Sequence, residues 1–148
     1  MRSVSQADVR ILLAEDNDGD VYLVRRALER NGLPYTLVVA RNGEEALALL
    51  RETEQGPVGA MPELILLDLN LPRIDGAQVL SHIRKSEAFK RTPVIVLTSS
   101  DSQKDRELAL RLGASLYFRK PTDLTSFMML GQVIQETAQR VRDSVASR

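Results

Sequence analysis

The sequence predicts one α/β domain: a doubly wound, five-stranded parallel sheet with helices on both faces. Three observations carry this. Short apolar runs alternate with amphipathic helical stretches five times within 148 residues. The third and fourth runs, Leu64-Ile65-Leu66-Leu67 and Val94-Ile95-Val96-Leu97, lack a polar alternation, as strands buried on both faces do. Right-handed crossovers then narrow the topologies, and the flavodoxin-like strand order 2-1-3-4-5 is the natural solution at this length.

The elements follow in order. Arg10 to Ala14 is the first strand. A helix from about Asp18 to Asn31 carries Val21, Val24 and Leu28 on one stripe, and Gly32 fits its C-cap. Tyr35 to Ala40 is the second strand. Asn42 caps a second helix with a stripe through Ala46, Leu49 and Leu50. The stretch from Glu54 to Pro62 holds two Gly and two Pro and reads as a loop. The third strand ends at Asp68, and Asp75 caps a helix carrying Val79, Leu80 and Ile83. After the fourth strand, a helix from Gln103 to Leu112 stops at Gly113. Ser115 to Arg119 is a shorter strand nearer an edge. The last helix starts near Leu124 and carries Phe127, Leu130, Ile134, Ala138 and Val141 inward. The expected domain spans 8–143, between a polar N-terminal tail at 1–7 and a C-terminal tail at 144–148.

Composition excludes several functions. Twenty Lys and Arg balance twenty Asp and Glu, so there is no basic footprint for nucleic acid. With no cysteine and one histidine, thiolate metal sites and multi-histidine sites are ruled out. No apolar run approaches the ~18 residues of a membrane span. The N-terminus has no apolar signal core, so a cytoplasmic protein is expected.

In a parallel sheet of this order the site lies beyond the carboxyl ends of the strands. Strand one ends in Glu15-Asp16, strand three in Asp68, strand four in Thr98-Ser99-Ser100, and strand five in Lys120-Pro121. Three carboxylates, a hydroxyl and an ammonium therefore converge on one rim. Two carboxylates ~4 Å apart repel by about 4 kcal/mol at an effective dielectric near 20. Three in one cleft call for a cation or protons. The ligands are all oxygens, which suits magnesium, a cation that usually meets a phosphate. Thr98 and Lys120 suit phosphate oxygens, and a carboxylate nucleophile is a known carrier of a phosphoryl group.

These residues carry a family resemblance. Ile11-Leu12-Leu13-Ala14-Glu15-Asp16-Asn17, Asp68-Leu69-Asn70-Leu71-Pro72-Arg73-Ile74-Asp75-Gly76, Val96-Leu97-Thr98-Ser99, Leu112-Gly113-Ala114 and Tyr117-Phe118-Arg119-Lys120-Pro121 occur in one order. Over roughly residues 8 to 140 the chain resembles a bacterial two-component response-regulator receiver domain. The resemblance implies that Asp68 accepts a phosphoryl group from a phosphohistidine on a sensor histidine kinase or a phosphotransfer protein. It implies Mg2+ held by Glu15, Asp16, Asp68 and the backbone carbonyl of Asn70, some through water. Thr98 would be the switch hydroxyl, Lys120 the phosphate partner and Tyr117 the rotating aromatic. Thr98 would move toward the phosphate and Tyr117 into the vacated space, repacking the face of helix four, strand five and helix five. That face is the expected homodimer surface. The family often has a cis bond at the position of Lys120-Pro121, although the sequence alone favours trans.

Residues 15–20, the loop at 54–62 and the segment after Asp68 look most like the stand-alone regulators paired with phytochrome-type histidine kinases. The end of the chain, Gln139 to Ser144, lacks the aromatic extension of that subclass. With the chain ending soon after helix five, the expected output is a binding surface and not an enzymatic or DNA-binding domain. The expected chemistry is at most its own phosphorylation and dephosphorylation.

Neighbouring residues have plainer readings. Asn17 with Asp20 resembles a capping box, which gives Asp20 a helix-start role over direct metal binding. His82 reads as a surface or half-buried helix residue. Asn70 and Ser100 fall where the family tunes water access to the phosphoryl group. Met128, Met129 and Val133 read as core more than as a partner surface. Three competitors are weaker. A phosphatase of the haloacid-dehalogenase type needs a second aspartate where Asn70 stands. A flavin or nucleotide carrier needs a phosphate loop where Glu15, Asp16, Asp18 and Asp20 stand. A scaffold of the same shape without phosphorylation does not need the complete acid, hydroxyl and lysine set.

Overall fold

The computed structural model describes residues 8–57 and 60–146. The expected tail at 1–7 and residues 147–148 lie outside the described residues, as do 58–59 within the Glu54–Pro62 loop.

Five strands, β1 (Val9–Ala14), β2 (Tyr35–Ala40), β3 (Leu64–Asp68), β4 (Val94–Thr98) and β5 (Leu116–Arg119), form one sheet. Its order is β2-β1-β3-β4-β5, and every pairing is parallel. Five helices alternate with them: α1 (Asp18–Arg30), α2 (Gly43–Glu54), α3 (Gly76–Lys85), α4 (Gln103–Arg111) and α5 (Leu124–Ala146). The expected fold class and strand order are therefore observed. Helix α5 continues through 144–146, into the stretch read from the sequence as a tail.

The central strands β3 and β4 are buried at every position, which is why their sequences do not alternate. Two apolar layers result. On one face Leu12, Ile65, Leu67, Val94 and Val96 meet α2, α3 and Phe89. On the other Ile11, Leu13, Leu64, Leu66, Ile95 and Leu97 meet α1 and α5. The edge strands are less covered: β2 alternates between half-buried and exposed residues up to the buried Ala40, and β5 is half-buried up to the exposed Arg119.

Two helix faces differ from the sequence expectation. Helix α2 buries Gly43, Ala46, Leu47 and Leu50, while Leu49 is half-buried, because the i, i+3, i+4, i+7 stripe runs through Leu47. In α5, Met128 and Val133 pack against the core but Met129 stands exposed, so the core reading fails for Met129. Helix α5 approaches α1 closely at Gly131, where a Cβ would lie 2.2 Å from the Ala27 carbonyl oxygen. His82 is half-buried, as expected, and its Nε2 has no hydrogen-bond partner among the described residues.

Helix starts are capped as read. Asn42 accepts from the Glu45 N–H, and Asp75 forms a full capping box with Gln78. Asn17 accepts from the Asp20 N–H at 2.9 Å, but the reciprocal half of that box does not form.

Candidate functional site

The parallel register assembles the site. Ala14 lies level with Leu67, so Glu15 emerges beside Asp68. Asp68 lies level with Leu97, one residue before Thr98, and Thr98 lies level with Arg119, one before Lys120. The Glu15 and Lys120 backbone N–H groups then continue the ladder, donating to the Ala40 and Thr98 carbonyls at 2.9 and 2.8 Å. Glu15 and Lys120 thus sit on the first residue beyond a strand, and Asp68 and Thr98 on the last residue within one.

Glu15, Asp68 and Thr98 are buried, whereas Asp16 is exposed. Glu15, Asp16 and Asp68 each bring a carboxylate oxygen within 4.8 Å of the others. This all-oxygen group fits a hard divalent cation and holds the three carboxylates of the expected donor set. The Lys120 ammonium donates to Glu15 Oε1 at 2.6 Å, Asp20 Oδ2 at 2.8 Å and Asp68 Oδ2 at 2.9 Å. The other Asp68 oxygen accepts from the Asn70 N–H at 2.9 Å. Asp68 is therefore oriented from two sides.

The electrostatics follow from burial. Removal from water pushes the Glu15 carboxyl up from 4.5 to about 7; its bond to Lys120 opposes this, and the nearby Asp68 charge adds to it. Burial alone would lower the Lys120 pKa, but the bonds to Asp20, Glu15 and Asp68 outweigh it and hold the ammonium well above its ordinary value.

Thr98 Oγ1 accepts from the Ser100 N–H at 3.2 Å, and the Asn70 side-chain amide stands 3.5 Å away. Both contacts use the oxygen as acceptor, which leaves the hydroxyl proton to be donated into the cleft. Tyr117 is half-buried; its hydroxyl donates to the Ser100 carbonyl at 3.0 Å, and the Arg106 guanidinium lies 5.3 Å from its ring centre. Ser100 Oγ bonds Asp105 Oδ2 at 2.6 Å, tying the β4–α4 connection to the first turn of α4. The loop after Asp68 is equally constrained. A Cβ on Gly76 would lie 2.3 Å from the Asp68 carbonyl oxygen.

The strand-end residues read from the sequence come together as read. One residue was misjudged. Asp20 does not close a capping box; its carboxylate turns to Lys120, a hundred residues along the chain. Its position in the first turn of α1, facing the strand ends, was the available signal. The Lys120–Pro121 peptide is trans; among the described residues no cis bond occurs.

Known proteins share this arrangement. The model of the response regulator receiver domain matches residues 11–130. Response regulator Rcp1 of Synechocystis sp. is 36% identical over 125 residues, covering 84% of this chain and 85% of Rcp1. The probable methanogenesis regulatory protein FilR2 of Methanothrix harundinacea is 40% identical over 126 residues, covering 85% of this chain and 79% of FilR2. The crystal structure of the phosphorylated cyanobacterial phytochrome response regulator RcpA is similar with a TM-score of 0.78 and 37% identity, covering 88% of this chain and 93% of RcpA. The Mn2+-bound form of Rcp1 is similar with a TM-score of 0.75 and 37% identity, covering 86% of this chain and 91% of that one. With its strand order and acidic pocket, the chain belongs to the response-regulator receiver domain family, whose members are signalling proteins of two-component systems.

Proposed function

We propose that Asp68 is the phosphoacceptor of a two-component phosphorelay. The observation that carries this is the pairing of a buried, doubly oriented Asp68 with Lys120 at 2.9 Å beside a three-carboxylate cation cluster. The donor is a phosphohistidine on a sensor histidine kinase or a phosphotransfer protein. An Asp68 oxygen forms the new P–O bond as the P–N bond breaks, and the electron pair leaves on the imidazole, which takes a proton from solvent. Glu15, Asp16, Asp68 and the Asn70 carbonyl would hold Mg2+, which supplies charge neutralisation at the transferring oxygens. The Mn2+-bound form of Rcp1 supports a divalent cation in this family. Lys120 orients the phosphoryl group from the other side, and Thr98 donates its hydroxyl to it.

The product is a signal and not a turned-over substrate: the protein acts only on its own phosphorylation and dephosphorylation. Phosphorylation adds charge and acceptor oxygens, which draw Thr98 and reset Tyr117. The altered surface is that of α4, β5 and α5, where Leu108 and Leu110 already stand exposed and where a second copy can dock. No described helix is long and apolar enough to cross a membrane. We read a phosphorelay fed by a sensor kinase's phosphohistidine as cytoplasmic. RcpA's description as a phytochrome response regulator makes phytochrome-type kinases the first donors to try.

The test is intact mass after treatment with a small phosphodonor and Mg2+. The wild type gains one hydroxylamine-labile phosphoryl group and Asp68→Asn gains none while keeping its melting temperature within a few degrees. Retained labelling of Asp68→Asn refutes the assignment.

A further inference from the structure

We propose that Asp20 is a dedicated anchor for Lys120, a positioning residue that keeps the ammonium over Asp68 when a cation occupies the neighbouring carboxylates. The inference rests on the phosphoacceptor reading of the site and adds a residue to it.

An ammonium has three N–H donors, and Lys120 places one on each of three carboxylates: Glu15 at 2.6 Å, Asp20 at 2.8 Å and Asp68 at 2.9 Å. Two of these acceptors have a second duty. Glu15 and Asp68 belong, with Asp16, to the group whose oxygens approach within 4.8 Å, and Asp20 is not in that group. A divalent cation seated there would draw the oxygens of Glu15 and Asp68 and repel the ammonium beside them. The phosphoryl group itself then needs Lys120 to stay. Asp20 is the one carboxylate partner whose hold on the lysine does not compete with the cation.

The geometry separates this role from helix capping. The first turn of α1 is capped by Asn17 through the backbone N–H of Asp20, not through its side chain. The Asp20 carboxylate therefore has no partner in its own helix that would explain its direction. It is also the outermost member of the set: its side chain is 25% exposed, against 8% for Lys120 and 1% for Glu15. It closes the solvent side of the lysine, where an untethered ammonium would otherwise swing out to water.

The direct readout is the 1H–15N cross-peak of the Lys120 ammonium, which survives solvent exchange only when the group is held. The peak is assigned by its disappearance in Lys120→Arg. In the wild type it persists both without metal and in saturating Mg2+. In Asp20→Ala it is lost to exchange in saturating Mg2+, and Asp20→Glu restores it. Phosphorylation by acetyl phosphate in saturating Mg2+ slows about tenfold in Asp20→Ala, the scale expected when a positioned group is released. A purely structural Asp20, acting on α1 through its charge, would lower the melting temperature and leave the peak in place. An unchanged Lys120 exchange rate in Mg2+-loaded Asp20→Ala overturns the proposal. A peak that responds as stated in a protein whose Asp68 takes no phosphoryl group leaves the anchor standing and removes the phosphoacceptor reading instead.

Discussion

At the scale of single residues, Glu15 shows how burial and charge set the working range of the site. Its carboxyl is fully buried and raised from 4.5 to about 7, chiefly by loss of water. Between those values the folded protein keeps a proton that the unfolded chain has released. Stability from this group is therefore present below pH 4.5 and is lost as pH rises toward 7. The difference is on the order of 3 kcal/mol. Urea melts in a chelator should show the wild type losing stability from pH 5 to pH 8 relative to Glu15→Gln, which cannot ionise. Parallel profiles for the two proteins would contradict this. Added Mg2+ competes with that same proton, so the gain in melting temperature should be larger at pH 8 than at pH 6. Glu15 and Asp68 were legible in the sequence because each ends an apolar run, and strand ends define the rim. The Asp20–Lys120 contact was not, because it depends on the Lys120 side chain reaching from the end of β5 to the first turn of α1, a hundred residues away in sequence. Local spacing offered a capping box, and only the three-dimensional arrangement shows the carboxylate turned elsewhere.

At the scale of elements, the sheet positions were readable and the connections between them were not. The uniform burial of β3 and β4 is written in their unbroken apolar runs. The α2 stripe was misplaced by a residue type, because Leu47, Leu49 and Leu50 are equally apolar and only packing selects two of them. The chief unread feature is Arg84, near the end of α3. Its guanidinium donates to the Gly113, Phe89, Lys90 and Thr92 carbonyls at 2.8, 3.2, 3.2 and 2.7 Å. It thereby fastens both the α3–β4 and the α4–β5 connections, at the end of the sheet away from the site. Burial lowers its pKa, since these partners are uncharged. Arg84→Met removes a five-donor fork and leaves several carbonyls without a partner, which costs about 2–4 kcal/mol. Arg84→Lys should recover little, because an ammonium is a point donor and cannot span the four acceptors. Equilibrium urea unfolding measures both; a loss below about 1 kcal/mol for Arg84→Met would show that the carbonyls are satisfied by water instead.

At the scale of the whole molecule, the helices differ in how firmly they are held on the sheet. Helix α1 buries Val21, Val24, Ala27 and Leu28, and α5 closes on it at Gly131. Helix α4 buries one residue, Ala109. One methyl group contributes well under the ~1.5–3 kcal/mol of a buried Val or Leu, so α4 is held largely by polar contacts. Those contacts lead back to the site: Ser100 bonds Thr98 through its N–H, Asp105 through its hydroxyl and Tyr117 through its carbonyl, and Arg106 covers the Tyr117 ring. A weakly packed helix tied to the switch hydroxyl is the element that a new charge on Asp68 can bias without disturbing the core. Amide hydrogen exchange should therefore show the slowest opening in β1, β3 and β4 and among the fastest helical opening in α4. Addition of Mg2+ and a beryllofluoride mimic of the phosphoryl group should alter protection mainly between Thr98 and Lys120, with α2 and the inner face of α1 unchanged. Thr98→Ala should still bind the mimic but should lose most of the change in α4, because the link through Ser100 begins at that oxygen. Changes spread evenly over all five helices, or a full response in Thr98→Ala, would mean that the signal leaves the site by another route.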